Sequence, residues 1–584
     1  MRMHPFPFSR GGCGPLVLIG LLAFFSSAAA VTRSQDSPAT LKCTTHQKFC
    51  SAVARYAKQL RLPGYALAVA HDGRIIYLQT EGFADIEHGT PIRANSIFPI
   101  ASITKTFTAA LMMRYAETGR IRLDDYLTDY PQLDDPTIWP YSSSEIRIRH
   151  VLSQTSEGAT PGEVFTYNGN RFNYVYGVLA KLRSDEDYPL AFAHELHTQI
   201  LDPLGLIDTL TGFPDAKDDA LTSRVVTPYR YDAQRGTFIA DDDLRRGHRH
   251  AYPNSGMLST LSDLVRYVNS LDRNELMHAA SAAEMMAPFR LNRGVSSAYG
   301  LGWFSEEWNG MKFSWVYGLG PSYASFLLHV PSEKVTFVFF ANNDAPTAAL
   351  RLNYGDALQF PPAAWVLQHF TAAGKAIPEI DLTADRHALE SSVTRLSFAE
   401  RNSALTQLTG IALTKRYMEK TFGEPDGRAL ALATMLRRVD RGYFHSLRPE
   451  LIALIFELSD PTLLEAMNDL GAAYTANGAV DPRISKDLGD FYEDIGADMQ
   501  AIGYRAALVV APGYETNDAT IASAFALGDQ YFRRGDTATG RHYYWIGIRD
   551  AVMAGRGSSF AKAKQQRMNE LISASADSSV EKGR

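Results

Sequence analysis

Between Cys43 and Phe370 the apolar and polar positions change period several times. Residues 65–70 and 75–79 are rich in β-forming side chains and flank Asp72-Gly73, a pair suited to a two-residue hairpin. Residues 102–117 carry good helix formers and stop at Gly119, and Thr260 with Asp263 forms a capping-box-like start for another helix. Residues 299–306, an Asn309-Gly310 turn, then 311–316, 323–330 and 335–341 read as consecutive antiparallel strands. Strands at both ends with helices between predict an α+β fold, one antiparallel sheet assembled from both chain ends and flanked by helices. After Phe370 the strand pattern stops. A linker-like stretch, 372–378, leads into a pattern that is almost wholly helical, so an all-α domain is expected over 380–575, following a mixed domain over 45–370.

The first thirty residues form a separate pattern. Arg2 and Arg10 precede an apolar run over 15–25, then small residues up to Ala30. A charged start, a short apolar core and Ala28-x-Ala30 predict a signal peptide over 1–30, and hence a periplasmic or secreted protein. The run is well short of the roughly 20 apolar residues a membrane span needs, and no later stretch is long enough, so no transmembrane span is expected after cleavage. That leaves Cys43 and Cys50, which could close a short disulfide loop or stand as two unconnected thiols.

With 584 residues the chain exceeds one core, and a net charge of −6 without any basic block argues against nucleic acid. His248, His250 and the acidic run 241–243 match no recognised ligand spacing, and no phosphate-binding loop stands between a strand and a helix. No metal or cofactor is expected.

The chemistry concentrates at Ala101-Ser102-Ile103-Thr104-Lys105. A lysine three positions after a serine returns to the same helix face one turn on, within reach of the hydroxyl. A buried, neutral lysine can take the serine proton. Ser-x-x-Lys alone is weak, because an N-capping serine and a solvated lysine give the same spacing. Gly82-Phe83-Ala84-Asp85, Ile97-Phe98 and the 101–109 segment together resemble the nucleophile region of class C β-lactamases, D,D-carboxypeptidases and related esterases. Residues 150–156 are similar to that family's "LLxHTSG" segment, with Gln154 and Glu157 departing from its His and Gly. Residues 252–263 are similar to its "GGLxSTxxDL" element. The resemblance spans roughly residues 45–350, in the expected order.

It implies a nucleophile at Ser102, a proton-managing Lys105, and a tyrosine after a Pro-Gly. Pro161-Gly162 precedes Tyr167, which matches, and an adjacent ammonium should make that phenol ionise more readily. Gly169 takes the place of the family's asparagine; Asn168 or Asn170 could supply an amide, both out of register. The third element, a Lys or His followed by Gly on a strand, is altered. With Gly318 in the family position Val316 replaces the cation, and in a register shifted by one Tyr317 does so. Either way the positive charge is lost. Tyr317 and Gly318, with Asn170, are the expected substrate contacts, and the oxyanion would rest on the backbone N–H of Ser102 and of Tyr317 or Leu319.

Leu470-Gly471, Leu488-Gly489 and Leu527-Gly528, each followed by a tyrosine and a further glycine, resemble the first helix of a tetratricopeptide repeat, although their spacing is irregular. These features predict an exported acyl-serine hydrolase acting on an ester, amide or D-amino-acid peptide. The partner would be a small-molecule or peptide substrate, and a protein could dock on the helical part. The lost cation argues against efficient β-lactam turnover. The rival expectation is a catalytically weak member of the fold that binds cell-wall peptide or a protein partner.

Overall fold

The computed structural model describes residues 46–131, 144–156, 160–163, 165–184, 186–214, 219–242, 249–380, 386–423, 427–440, 443, 448–458, 460, 482–494, 498–510, 518–553 and 558–581. The stretch over 1–30 expected to be a signal peptide, Cys43, His248 and the unit around Leu470 lie outside them. Cys50 itself is buried and disulfide-bonded.

A helix, α1 (Gln47–Gln59), leads into strands β1 (Gly64–His71), β2 (Arg74–Asp85) and β3 (Thr90–Pro91). Two short pairs follow, β4 (Phe98–Pro99) with β7 (Leu258–Ser259) and β5 (Tyr229–Asp232) with β6 (Thr237–Ala240). Four strands return late in the chain: β8 (Phe304–Trp308), β9 (Met311–Leu319), β10 (Ala324–Val330) and β11 (Val335–Ala341). The main sheet has seven strands in the order β3-β2-β1-β11-β10-β9-β8, so β1 pairs with β11 and the first and last strands of the mixed region meet at its centre. The α+β reading therefore holds, with an antiparallel sheet and helices on its faces.

Local chemistry explains the turns. Asp72 and Gly73 have φ of 51° and 75°, and Asn309 and Gly310 have 48° and 78°, the positive values that tight hairpins demand. β11 is apolar at nearly every position because both its faces are covered. Val316, Leu327, Val338 and Phe340 face one layer with Phe107, Leu264 and Val268. Trp315, Tyr317, Phe326, Phe337 and Phe339 face the other, with Phe49, Val53 and Leu367. Thr260 caps helix Leu261–Asp272 by accepting the Asp263 N–H, but the Asp263 carboxylate turns away to accept from the Asp208 N–H and Thr209 Oγ1. The reciprocal half of the expected capping box is thus absent. Strand β8 starts at Phe304 rather than Tyr299, because Gly302, at φ 82°, turns the chain first.

Beyond residue 380 the described elements are helices, including Phe398–Phe422, Arg428–Val439 and Pro449–Leu458. The apolar layer on the Trp315 side runs on into them: Leu405, Leu408, Leu436, Leu454 and Tyr492 belong to the same cluster. Gly410 lies against the Gln359 backbone, where a β-carbon would collide with the carbonyl. The anticipated boundary near 380 marks a change of element type, and the core crosses it. Helices Asp518–Arg533, Thr537–Met553 and Ser558–Glu581 share a smaller cluster of their own. Within it, Gly528 lets its helix approach Tyr544 and the Gly540 carbonyl. Among the described residues no helix is long and apolar enough to cross a membrane.

Candidate active site

Ser102 lies in a single turn of 3-10 helix, Ala101–Ile103, that runs directly into the helix α2 (Thr104–Glu117). α2 is buried on nearly all sides, and two of its threonine hydroxyls bond a neighbouring segment. Thr108 Oγ1 donates to the Pro253 carbonyl at 2.7 Å, and Thr104 Oγ1 accepts the Met257 N–H at 3.3 Å. These contacts dock segment 253–257 against α2. They also bring the Asn254 carbonyl to Lys105, whose Nζ donates to it at 2.9 Å.

Lys105 Nζ also lies 2.8 Å from Ser102 Oγ. The lysine is 1% exposed, and the rings of Tyr167 and Phe172 stand 5.4 and 5.6 Å from its nitrogen. Burial, without a carboxylate to oppose it, pushes its pKa down from 10.5 to about 7. Close to neutral pH a large fraction is therefore the free amine. The predicted serine–lysine pair is assembled.

Tyr167 stands beside this pair, and its approach to Ser102 favours the phenolate. Burial outweighs that effect and holds the phenol up at about 12. This reverses the expectation that Tyr167 ionises readily. The reason is its setting in an aromatic wall: its ring lies 5.5 Å from Phe304, 5.7 Å from Tyr317 and 5.9 Å from Tyr299. At neutral pH Tyr167 is a proton donor.

The register on β9 also resolves. Val316 points into the α2-side layer, and Tyr317, 7% exposed, faces Tyr167. The side chain beside Tyr167 on this strand is thus a phenol. Gly318 passes the nucleophile turn. A β-carbon there would stand 2.5 Å from the Ile100 carbonyl and also overlap Ser325 Oγ, which donates to that carbonyl at 2.8 Å.

Asn170 is exposed and connects to Ser102 through Asn254 and then Lys105. Its Oδ1 accepts from Asn254 Nδ2 at 3.3 Å, and its N–H bonds the Asn168 side chain at 3.1 Å. Gly169 stands closer: a β-carbon there would be 3.7 Å from Lys105 Nζ. Asn254 is the participant that residue types do not reveal, since it acts through its backbone carbonyl. Among the described residues no cluster of three or more His, Cys, Asp or Glu side chains could hold a metal.

A serine bonded to a buried lysine at a helix start, beside a tyrosine and a sheet strand, defines a serine-hydrolase site of the β-lactamase type. Residues 49–359, more than half of the chain, match the family described as Beta-lactamase. The chain is 25% identical to a Beta-lactamase of Escherichia coli (strain K12), over 50% of this chain and 87% of that one. It is 22% identical to Penicillin-binding protein 4* of Bacillus subtilis (strain 168), over 48% and 68% respectively. Among solved structures, the octameric penicillin-binding protein homologue from Pyrococcus abyssi aligns with a TM-score of 0.43 at 18% identity, covering 51% of this chain and 73% of that one. The chain belongs to the β-lactamase family of serine hydrolases.

Proposed function

We propose that this protein is an exported acyl-serine hydrolase, periplasmic or secreted, that acts on esters, amides or D-amino-acid peptides without an anchoring carboxylate. One observation carries the reading: Lys105 Nζ lies 2.8 Å from Ser102 Oγ, in buried surroundings that lower its pKa to about 7 and so make the free amine available near neutral pH. Ser102 Oγ attacks the substrate carbonyl carbon, and its proton passes to Lys105. The tetrahedral intermediate collapses, the bond to the leaving group breaks, and the Tyr167 phenol delivers the proton that the departing oxygen or nitrogen needs. Lys105 returns its proton to the Tyr167 phenolate. Water then attacks the acyl-serine, its proton passing to the Lys105 amine and its hydroxyl to the acyl carbon. The bond to Ser102 Oγ breaks, and Lys105 gives that oxygen its proton. The oxyanion is assigned to the Ser102 N–H and an N–H of β9 next to Gly318, each such donor contributing on the order of 3 kcal/mol.

Tyr317 sets the preference among substrates. A phenol offers a hydrogen bond but no positive charge at neutral pH, so a substrate carboxylate gains no ion pair from it. p-Nitrophenyl esters should therefore turn over faster than nitrocefin, and the reverse ranking would refute the substrate assignment. A fluorophosphonate should label the mature chain and spare Ser102→Ala. Equal labelling of both would remove Ser102 as nucleophile. No labelling of either, with no turnover across an ester panel, would favour a binding role for the fold.

A further inference from the structure

Tyr167 lies in a stretch, 165–168, that belongs to neither a helix nor a strand. Its backbone direction must come from other bonds, and one residue supplies two of them. The Thr166 N–H donates to the Gln154 backbone carbonyl at 2.9 Å, and the Asn168 N–H donates to Gln154 Oε1. The residues on either side of Tyr167 are thus fastened to the same glutamine.

Gln154 is itself firmly held. It is 1% exposed, at the end of helix Ile148–Leu152, and its own N–H bonds the Val151 carbonyl at 3.1 Å. Its φ is 57°, in the left-handed region that a non-glycine residue enters only under constraint. Next to it, Thr155 N–H bonds the His150 carbonyl at 2.8 Å, and the Ser153 and Thr155 hydroxyls meet at 2.8 Å. Nε2 of Gln154 is buried and finds no acceptor among the described residues. What the side chain contributes is therefore its oxygen. A buried amide with half its capacity unused is an unfavourable choice for packing alone.

We infer that Gln154 is a positioning residue: by accepting from the backbone on both sides of Tyr167 it sets the phenol against Ser102. The inference rests on the proposed acyl-serine chemistry for its kinetic consequence, but the geometry can be read without turnover. Gln154→Met keeps the length of the side chain and removes its acceptor for the Asn168 N–H, leaving the backbone bond to Thr166 in place. Gln154→His restores an acceptor nitrogen. Both are made in the full mature chain.

In Gln154→Met, kcat for an ester should fall at least tenfold with KM within twofold of wild type, and the crystal structure should show Tyr167 displaced from Ser102. Gln154→His should recover kcat to within threefold and return the phenol. Wild-type kcat in Gln154→Met, or Tyr167 unmoved in its structure, would overturn the inference. Equal impairment of both variants, in step with lost melting temperature, would do so as well. Should Gln154→Met fail to fold, Gln154→His decides alone: a folded variant with a tenfold loss overturns the inference. If fluorophosphonate labels wild type and Ser102→Ala equally, the catalytic reading fails, and the position of Tyr167 in the two crystal structures still tests Gln154.

Discussion

Gly318 of β9 passes so close to Ala101 that a β-carbon at 318 would stand 3.0 Å from that of Ala101. Ala101 precedes the nucleophile and is itself strained, with φ 45°. Such a conformation costs of order 1–3 kcal/mol and survives only where its surroundings fix it. The strand and the nucleophile turn therefore hold one another in place. Gly318→Ala would push against the Ile100 carbonyl, a backbone atom that cannot swing aside. Acylation by fluorophosphonate should fall about 100-fold, the scale of a lost oxyanion donor. Stability should drop by ~1–3 kcal/mol, as overpacking does. A variant that acylates at the wild-type rate would show that the spacing between β9 and Ser102 is not critical.

The second prediction concerns pH. Lys105 must be unprotonated to accept the Ser102 proton, so kcat/KM should rise through about pH 7 and level off above it. The same shift governs stability. Between about 7 and the ordinary 10.5 the unfolded chain binds a proton that the folded chain does not, so stability rises with pH across that window. Below it, the folded protein carries a buried ammonium. Lys105→Met should therefore abolish acylation yet raise the melting temperature at pH 6, by on the order of a few kcal/mol in stability, and much less at pH 10. An equal gain at both pH values would contradict the depressed pKa.

Much of this was legible in the sequence because it is local. Asp72-Gly73 and Asn309-Gly310 announce hairpins through their backbone preferences, and Ser102 and Lys105 meet because a helix brings residues three apart together. The acidity of Tyr167 was not legible. It depends on rings from Phe304 and Tyr317, more than a hundred residues away in the chain, which meet only when β8 and β9 join the sheet. The choice between Val316 and Tyr317 was likewise decided by which face of β9 each occupies. Asn254 contributes a carbonyl, which every residue has, so no residue type could signal it.

Gly169 offers a test by addition. Among the described residues, Lys105 Nζ, at 3.7 Å, is the heavy atom nearest a β-carbon built there, outside the chain neighbours and the helix's own backbone. Gly169→Asn should fold normally, with melting unchanged or slightly raised. Its amide oxygen would accept from the Lys105 ammonium and favour the charged form. The acid limb of kcat/KM should then move to higher pH by about half a unit or more. An unmoved limb would mean that the amide does not reach the lysine.

The last prediction concerns the junction between the sheet and the helices beyond it. Arg448, just before helix Pro449–Leu458, bonds Asp356 at 2.8 Å and Glu450 at 2.7 Å. Glu306 lies on the same buried patch, accepting from Trp315 Nε1 at 2.5 Å and from the Ala357 N–H at 2.8 Å. Burial raises the pKa of all three carboxyls, and Arg448 opposes that rise. Arg448→Met would leave them without their cation, a loss of ~3–5 kcal/mol for a broken buried pair. Carboxyls held above their ordinary pKa contribute stability at low pH that fades as the pH climbs through the raised values. The deficit of Arg448→Met should therefore be larger at pH 8 than at pH 5, measured by thermal melting at both. Trp315 stacks on Phe304 at 4.3 Å, and Phe304 stacks on Tyr167, so the patch backs the aromatic wall of the active site. A chain ending near Gly374 would lack Arg448 and would also uncover the layer that Leu405, Leu408 and Leu454 complete. That shortened protein should be insoluble or fail to acylate. If it is soluble, melts cooperatively and labels at the wild-type rate, the helices form an independent domain and the shared core contributes nothing to catalysis.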